Sequence, residues 1–253
     1  VGLACGGSID IFVQKLDLEQ FILLDSMVQR DSSGAVSTVV RGPESLLGRT
    51  AIFGENAIVE SNFPSDLQER VADLVADVEQ TSLLTLDDDT ILFVDLIRPA
   101  PTLVAVGGGE IAMALTDMAR IAGYRTVVID PRSVFASEAR FPNIDQLIQK
   151  WPRSAFAEVG LSHDTAAALL THDPKIDDPA LKVLLNSDVF YIGALGSRKT
   201  HAKRLKRLEN MGFTLEHLER IYAPIGLDIG AQNPQEIAVA ILGEIIAVRR
   251  EQA

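Results

Sequence analysis

The chain has 253 residues and a mass of 27.4 kDa, which suits two compact domains or one large α/β domain and excludes a small disulfide-stapled scaffold. Its residues are 47% hydrophobic and 23% charged, a composition that fits a globular protein with a sizeable core and excludes a disordered or fibrous chain. The formal net charge of −12 disfavours nucleic acid as a partner, because an acidic surface repels the phosphate backbone.

Cysteine content and apolar runs bear on the compartment. Cys5 is the only cysteine, so the chain forms no intramolecular disulfide, which suits a reducing environment. The sequence contains neither a membrane-spanning apolar run nor a signal-peptide pattern, and we expect a cytoplasmic location without a membrane span. Because the chain begins at Val1 rather than Met, we expect the N-terminal domain to lack part of its natural N-terminus.

The N-terminal part is predicted to be a small α+β domain. Its predicted elements are, in chain order, a half-buried strand over Ile9–Leu16, a helix over Leu18–Gln29, a strand over Val36–Val40, a helix over Ser65–Gln80, and strands over Leu83–Leu86 and Ile91–Leu96. The last two strands flank three aspartates, Asp87 to Asp89, and predict a hairpin with an acidic turn. A metal site at this turn is the weaker alternative, because adjacent carboxylates in a strand-like turn splay apart.

The proline-rich stretch over 98–101 predicts a boundary between domains 1–98 and 99–253. Downstream of it, buried strands over Thr102–Val106 and Thr126–Ile129 flank a helix over Ile111–Gly123. This βαβ unit predicts an α/β fold class in which a Rossmann-like domain with a mainly parallel sheet follows the α+β domain.

Further elements are predicted along the C-terminal domain. Strands are expected over Ala155–Val159, Ala166–Leu170 and Val189–Ile192, and a helix is the alternative for the alanine-rich second segment. Helices are expected to start at Asp178-Pro179 and at Asn233-Pro234, where an N-cap residue precedes proline.

A glycine-rich segment, residues 107–112, joins the first strand and helix of the βαβ unit. It reads Gly-Gly-Gly-Glu-Ile-Ala and matches the G-x-G-x-x-A fingerprint of dinucleotide-binding folds. Gly107 permits the tight turn, Gly109 lets a pyrophosphate approach the backbone, and Ala112 lets the helix pack closely on the sheet. The segment therefore predicts a nucleotide or phosphate site.

Two acids qualify this interpretation. Asp130 ends the next strand, at about the 20-residue spacing of the acid that accepts ribose hydroxyls in dinucleotide-binding folds. Glu110 instead places a negative charge beside the expected phosphate, so a Rossmann-like sheet whose nucleotide site is empty or repurposed is the alternative.

The segment Ser197–Arg207 contains six cations and no acid. Ala202, Leu205 and Leu208 recur at three-residue spacing and are expected to face the core, which leaves the cations on a solvated helix face. An anion site is the alternative, because the segment 193–197 (Gly-Ala-Leu-Gly-Ser) leads from a strand into this helix and resembles loops that bind phosphate.

Three other segments are candidate sites. The loop over 224–230 is rich in glycine and carries function or simply turns the chain. His172 and Asp173 follow a strand end, where α/β folds bind ligands, with a surface pair or a cap as the alternative. Cys5 precedes two glycines that open the backbone around its sulfur, and a buried, inert thiol is the alternative.

Taken together, these motifs resemble the XdhC/CoxI family, the accessory proteins of xanthine dehydrogenase and related molybdenum hydroxylases. The matching segments are Ala4–Asp10, Val127–Arg132, Arg140–Pro142, Leu170–Lys175, Asp177–Leu181, Tyr191–Arg198, Ala223–Gly230 and Glu236–Ala238. Two positions depart from the pattern, since many family members have Ala and His where this chain has Gly108 and Glu110. This departure bears on nucleotide preference.

The resemblance implies a chaperone rather than an enzyme. Such a protein binds the molybdenum cofactor, as molybdopterin or its cytosine dinucleotide, supports its sulfuration with a cysteine desulfurase, and delivers it to a xanthine dehydrogenase-type molybdenum hydroxylase. The resemblance also implies a homodimer. One alternative is an NAD(P)-dependent oxidoreductase, suggested by the fingerprint and Asp130, in which His172 is the candidate for proton transfer. A scaffold that docks a hydroxylase without binding the cofactor is another.

The resemblance also implies a set of binding residues. Cys5 matches the Cys-Gly-Gly motif and is expected near molybdenum, for which a thiolate is a suitable ligand. The residues expected around the cofactor, its phosphate or a ribose are Cys5, Gly6, Gly7, Gly107, Gly109, Ala112, Asp130, Arg132, His172, Asp173, Gly193, Gly196, Ser197, Arg198, Lys199, Pro224, Gly226, Asp228 and Gly230.

Overall fold

The computed structural model describes residues 10–30, 32–54, 57–78 and 80–251. The chain divides into two compact units, Val1–Pro99 and Ala100–Ala253. Each unit contains its own sheet, with one hydrophobic core in the N-terminal unit and two in the C-terminal unit.

The N-terminal unit is built on a five-stranded antiparallel sheet. Its elements are α1 (Leu18–Gln29), β1 (Gly34–Arg41), β2 (Thr50–Phe53), β3 (Ile58–Ser61), α2 (Ser65–Ala76), β4 (Ser82–Asp87) and β5 (Thr90–Ile97). The strand order is β3-β2-β1-β5-β4. Burial alternates along β1, as expected for a strand with one face on the core, and Val71 and Val75 of α2 belong to that core.

Most sequence predictions for this unit are confirmed. The helix over Leu18–Gln29, the strand around Val36–Val40 and the acidic hairpin are present, and α2 ends at Ala76 rather than Gln80. The strand predicted over Ile9–Leu16 is wrong, because residues 10–16 pair with no strand and are exposed. Alternation alone does not make a strand where no neighbouring strand satisfies the backbone. At the hairpin turn, the Asp87 carboxylate accepts the N–H of Asp89 at 3.2 Å.

The C-terminal unit is a six-stranded sheet in which all neighbouring strands are parallel. Its strands are β6 (Thr102–Val106), β7 (Arg125–Ile129), β8 (Gln146–Ile148), β9 (Thr165–Leu169), β10 (Tyr191–Ala194) and β11 (Ile221–Tyr222). Its helices are α3 (Glu110–Ile121), α4 (Pro152–Val159), α5 (Pro174–Leu184), α6 (Arg198–Asn210), α7 (Leu215–Glu219) and α8 (Pro234–Glu251). The strand order β11-β10-β9-β6-β7-β8 is the doubly wound Rossmann order, which confirms the predicted fold class.

Helices cover both faces of this parallel sheet, as the continuous apolar strands predict. Successive residues of β6 alternate between two cores: Val104 and Val106 share one with α4 and α5, and Leu103 and Ala105 share the other with α3 and α8. All five residues of β9 are buried. The strand prediction for Ala166–Leu170 is thus confirmed and its helical alternative is wrong.

Three predictions for this unit need correction. Residues 155–159, predicted as a strand, form the second half of α4, which begins at Pro152 after the N-cap Trp151. The helix start predicted at Asp178-Pro179 lies inside α5. The helix begins one Asp-Pro pair earlier, with Asp173 as the N-cap and Pro174 as the first helical residue. The strand predicted over Val189–Ile192 begins and ends two residues later.

The start of α8 follows the prediction. The Asn233 side chain accepts the N–H of Glu236 at 2.8 Å, which is the expected N-cap. The Glu236 carboxylate in turn accepts the N–H of Gln232 at 2.7 Å, one residue before the cap.

Candidate functional site

The site lies where the strand order of the C-terminal unit reverses. The chain builds β6, β7 and β8 toward one edge of the sheet and then returns to build β9, β10 and β11 toward the other. In folds of this order the loops that leave the central neighbouring strands diverge, and ligands bind in the crevice at their carboxyl ends. Here those strands are β6 and β9, and most of the predicted residues lie in the loops that follow β6, β7, β9 and β10.

The loop after β6 is held tightly on two sides and open on a third. A Cβ at Gly107, whose φ is +107°, would overlap the Thr171 methyl group in the loop after β9, so only glycine lets these two loops approach. A Cβ at Gly108 would overlap the Phe135 carbonyl. A Cβ at Gly109 would have no atom within 4 Å. Gly109 is therefore the residue of this loop at which a ligand has room.

The start of α3 suits an anion in part. Gly109 is its N-cap and provides no side-chain hydrogen bond, so the first N–H groups of the helix are not capped by that residue. Ala112 is fully buried and permits the close helix–sheet packing predicted for it. Glu110 is exposed in the first turn, where its negative charge opposes a bound anion.

Asp130, after β7, binds donors of the chain itself. Its Oδ1 accepts the backbone N–H and the Nε–H of Arg132, both at 2.9 Å. Its Oδ2 accepts the N–H of Gly108 at 2.9 Å and the Nη2 of Arg132 at 2.8 Å. The two oxygens of a carboxylate offer about four acceptor sites, and all are used here. No acceptor site of Asp130 remains for the ribose hydroxyls assigned to it from its spacing.

Burial raises the pKa of Asp130, but the hydrogen bonds from Arg132 and from the N–H of Gly108 outweigh burial and hold the pKa below its usual range. The hydrogen bond to Asp130 in turn raises the pKa of Arg132, and the negative charge of Asp173 adds to this rise. Asp173 lies in the loop after β9, so the charge of this loop contributes to the electrostatic surroundings of Arg132.

A second arginine reaches the loop after β6. The Nη2 of Arg140 donates to the carbonyl of Gly108 at 3.2 Å, and the Nε of Arg140 is buried without a hydrogen-bond partner. Arg132 has 43% of its side chain exposed and stacks over the Phe135 ring at 4.2 Å from its centroid. Sequence reasoning did not place Arg140 in the site, although the Arg140–Pro142 motif carried the family resemblance and was the available signal.

The loop after β9 has an unusual backbone. His172 is exposed and has a φ of +48°, the only positive φ of a non-glycine residue in the described part of the chain. Such left-handed residues persist only where the surrounding structure holds them, and they cluster at functional sites. Asp173 is the N-cap of α5, because its carboxylate accepts the N–H of Lys175 at 2.9 Å.

A buried polar network connects the loops after β9 and β10. Thr171 donates its hydroxyl to Oδ1 of Asp177 at 2.5 Å, and the Nη2 of Arg204 lies 3.5 Å from Oδ2 of the same carboxylate. The same Nη2 donates to the carbonyl of Leu195 at 2.8 Å. Burial raises the pKa of Asp177, even though Thr171 and Arg204 act in the opposite direction. Arg204 is only 1% exposed, so the network is internal.

This burial corrects the predicted orientation of α6. Ala202, expected in the core, is exposed, and Arg204 is buried instead. The buried face can accept an arginine because Asp177 of α5 neutralises it. Arg207 also pairs with α5, through two contacts of 2.6 and 2.9 Å to Asp178. Four of the six cations remain exposed on this helix: Arg198, Lys199, Lys203 and Lys206.

The remaining predicted residues lie in β10, in the loop before α6 and in the loop before α8. Gly196 has a φ of +132°, and Ser197 is the N-cap of α6 through its bond to the N–H of Thr200 at 3.2 Å. Gly193 lies within β10, where a Cβ would overlap Ile225, so it is a packing residue. The N–H of Gly226 donates to the Glu244 carboxylate at 2.9 Å and anchors this loop to α8. Pro224 follows a cis peptide bond in this loop, and Asp228 and Gly230 are exposed farther along it.

Three predicted site residues lie outside the described part of the chain: Cys5, which is the expected molybdenum ligand, Gly6 and Gly7. A pocket of about 280 Å³ lies at the amino ends of the strands, on the side of the sheet away from the crevice, and none of the predicted site residues lines it. Within the described ranges, no helix is both long and apolar enough to cross a membrane.

Comparison with known proteins gives one family and several relatives. The family described as XdhC Rossmann domain matches residues 103–245. A probable xanthine dehydrogenase subunit from Bacillus subtilis (strain 168) is 30% identical over 257 residues, which span all of this chain and 73% of that protein. The molybdenum cofactor insertion chaperone PaoD of Escherichia coli (strain K12) is 31% identical over 155 residues, 61% of this chain and 42% of PaoD.

A solved structure shares the fold. A xanthine dehydrogenase from Bacillus halodurans superimposes with a TM-score of 0.74 over 94% of this chain and 69% of that chain. The two sequences are 23% identical, so this likeness concerns the fold alone.

Proposed function

This chain belongs to the XdhC family, and from that premise we propose that it binds the molybdenum cofactor and acts as an insertion chaperone for a xanthine dehydrogenase-type molybdenum hydroxylase. The names of the relatives in Bacillus subtilis and Escherichia coli support both parts of the proposal. The pterin of this cofactor carries a phosphate, and a chaperone must hold it through contacts that can be released.

The observation that carries the proposal is the crevice between the loops after β6 and β9. Gly109 has room for a ligand, Arg140 supplies a positive charge to the adjoining backbone, and Arg132, although paired with Asp130, keeps a free guanidinium nitrogen. This arrangement suits an anionic ligand, because backbone N–H groups and guanidinium groups are the donors that phosphates prefer. When bound, the cofactor supplies the molybdenum centre, and the residues of this chain hold the organic part.

The saturated carboxylate of Asp130 separates this proposal from the oxidoreductase alternative. An NAD-dependent enzyme of this fold uses the acid at this position to bind ribose hydroxyls. Here that carboxylate is bound to Arg132 and to the N–H of Gly108. The chaperone role is therefore favoured over NAD-dependent oxidation.

The finer parts of the proposal rest on the family resemblance. They are a thiolate contact from Cys5 to molybdenum, sulfuration of the cofactor together with a cysteine desulfurase, a cargo that is molybdopterin or its cytosine dinucleotide, and a homodimeric state. Each has its own readout: molybdenum content of a cysteine variant, co-purification with the desulfurase, chromatography of the released pterin, and sedimentation.

The first test is metal and pterin analysis of the protein purified from a molybdate-fed host that makes the cofactor. We expect molybdenum and oxidised pterin near one equivalent of each, and loss of molybdenum in Cys5→Ala without a change in thermal unfolding. Arg125→Gln is the matched control, because Arg125 lies at the amino end of β7 and binds Gln146 rather than the crevice loops. Absence of both molybdenum and pterin from the unmodified protein would contradict the proposal.

A further inference from the structure

Two guanidinium groups are linked to Gly108, one through its carbonyl and the other through its N–H. The carbonyl of Gly108 accepts directly from Arg140, and the N–H of Gly108 donates to Asp130, which in turn binds Arg132. The three side chains therefore surround the residue that precedes the open position at Gly109. Both arginines belong to the 131–141 segment after β7, and its Phe135 packs against Gly108.

Arg132 keeps an unengaged guanidinium nitrogen, and Arg140 has a buried one without a partner. Asp130 engages the Nε and Nη2 of Arg132, which leaves its Nη1, and 43% of this side chain is exposed. Arg140 uses Nη2 for the carbonyl of Gly108, while its buried Nε has no partner. A buried donor without an acceptor is unfavourable, so an anion whose oxygen reached the Nε of Arg140 would be stabilised there.

The carboxylate of Asp130 offers no free acceptor to a ligand. The four acceptor positions of Asp130 are filled, so a ribose diol would find no free carboxylate oxygen at the end of β7. A phosphate monoester brings its own acceptor oxygens and needs donors only. A guanidinium nitrogen that no group of the chain engages can donate a charge-assisted hydrogen bond to such an oxygen.

We propose that Arg132 and Arg140 form a subsite for the phosphate monoester of the ligand in this crevice, and that Asp130 positions Arg132 instead of binding a ribose. The inference rests on the proposed function for the identity of the ligand, since it concerns the same crevice. Two sources share this chemistry: the terminal phosphate of a pterin such as molybdopterin, and the 2′-phosphate of a nucleotide such as NADP. The cytosine dinucleotide form and NAD both lack the monoester.

The test uses inorganic phosphate as the probe. Its binding to the full chain is measured at low ionic strength by the broadening of the phosphorus NMR line. We expect saturable binding, and a loss of about tenfold in affinity in Arg140→Gln and in Arg132→Lys, the effect of removing one hydrogen bond to a charged group. Lysine at position 132 keeps a positive charge beside Asp130 but lacks the Nη1 donor that arginine offers to a ligand. Arg125→Gln, outside the crevice, should bind as the unmodified chain does.

Competition then identifies the source. Displacement of phosphate by molybdopterin but not by its cytosine dinucleotide supports the subsite and the proposed function together. Displacement by NADP but by neither NAD nor molybdopterin supports the subsite and contradicts the proposed function. Absence of phosphate binding, or equal affinity in the three variants, would overturn the subsite without touching the question of cofactor loading in the cell.

Discussion

Gly107 and Gly109 stand two residues apart, and the space around them differs. Gly107 combines a φ of +107° with contact to the loop after β9, whereas Gly109 has a φ of −73° and faces open space. Alanine at Gly107 is therefore expected to lower the free energy of unfolding by about 1–3 kcal/mol, through backbone strain and overlap with Thr171. Urea unfolding of both alanine variants measures this difference.

Gly109→Ala is the matched comparison. Its methyl group meets no protein atom, so the expected loss in unfolding free energy is at most about 1 kcal/mol, from a weaker N-cap. The same methyl group would occupy the space left for a ligand, and phosphate binding should fall. Equal destabilisation by the two substitutions, or unchanged phosphate binding in Gly109→Ala, would contradict this account of the loop.

Asp130 links stability to pH. Its folded pKa lies below its usual range, so its contribution is present above the unfolded pKa of about 3.9 and is lost as the pH falls through the lower, folded pKa. Asp130→Asn is therefore expected to lower the unfolding free energy by about 2 kcal/mol at pH 7, the loss of a charged hydrogen-bond acceptor, and by less below about pH 4.

The measurement is urea unfolding of both proteins at pH 7, 5 and 3.5. Asp117→Asn, on the exposed part of α3, is the control and should show a small difference at every pH. A destabilisation by Asp130→Asn that grows on acidification would have the wrong sign and would refute the linkage.

At the scale of elements, α5 and α6 are joined by two acid–arginine pairs. The Asp178–Arg207 pair has two short contacts, and only 9% of the Asp178 side chain is exposed. A double-mutant cycle with Asp178→Asn and Arg207→Gln is expected to give a coupling free energy of about 1 kcal/mol, above that of a fully exposed pair. Lys206→Gln, one residue earlier on α6, is the control and should leave the free energy of unfolding nearly unchanged. A coupling free energy near zero would show that the Asp178–Arg207 pair does not stabilise the packing of α5 on α6.

The strongest sequence predictions were those that local residues decide. Continuous apolar runs gave β6, β7 and β9, and side-chain chemistry gave the cap at Asn233. The strand predicted over Ala155–Val159 failed because a short apolar segment fits a buried helix equally well, and the Trp151-Pro152 start decided the outcome.

Contacts between distant residues could not be predicted from local pattern. Arg204 is buried because Asp177, 27 residues earlier, is there to meet it. Arg140 reaches Gly108 from 32 residues away, so its place in the site depends on how the 131–141 segment folds back. The saturation of Asp130 was also hidden, since spacing locates a carboxylate but does not show what its oxygens bind.

At the scale of the whole molecule, we propose that residues 99–253 form a domain that folds independently. Both faces of its sheet are covered by helices of the same unit, with α4 and α5 on one core and α3 and α8 on the other. The isolated fragment is expected to unfold cooperatively in urea and to bind phosphate with the affinity of the full chain. A broad transition without a native baseline would contradict independent folding.

The walls of the crevice are fixed by hydrogen bonds within the protein: the N–H of Gly108 in the loop after β6 donates to Asp130, and the hydroxyl of Thr171 in the loop after β9 donates to Asp177. A ligand thus meets a cleft already in its binding shape, and little conformational entropy is lost when the two associate. Differences in affinity among related ligands then lie mainly in how fast each one departs. For a carrier, the residence time of the cargo would set the interval in which a recipient enzyme must be met.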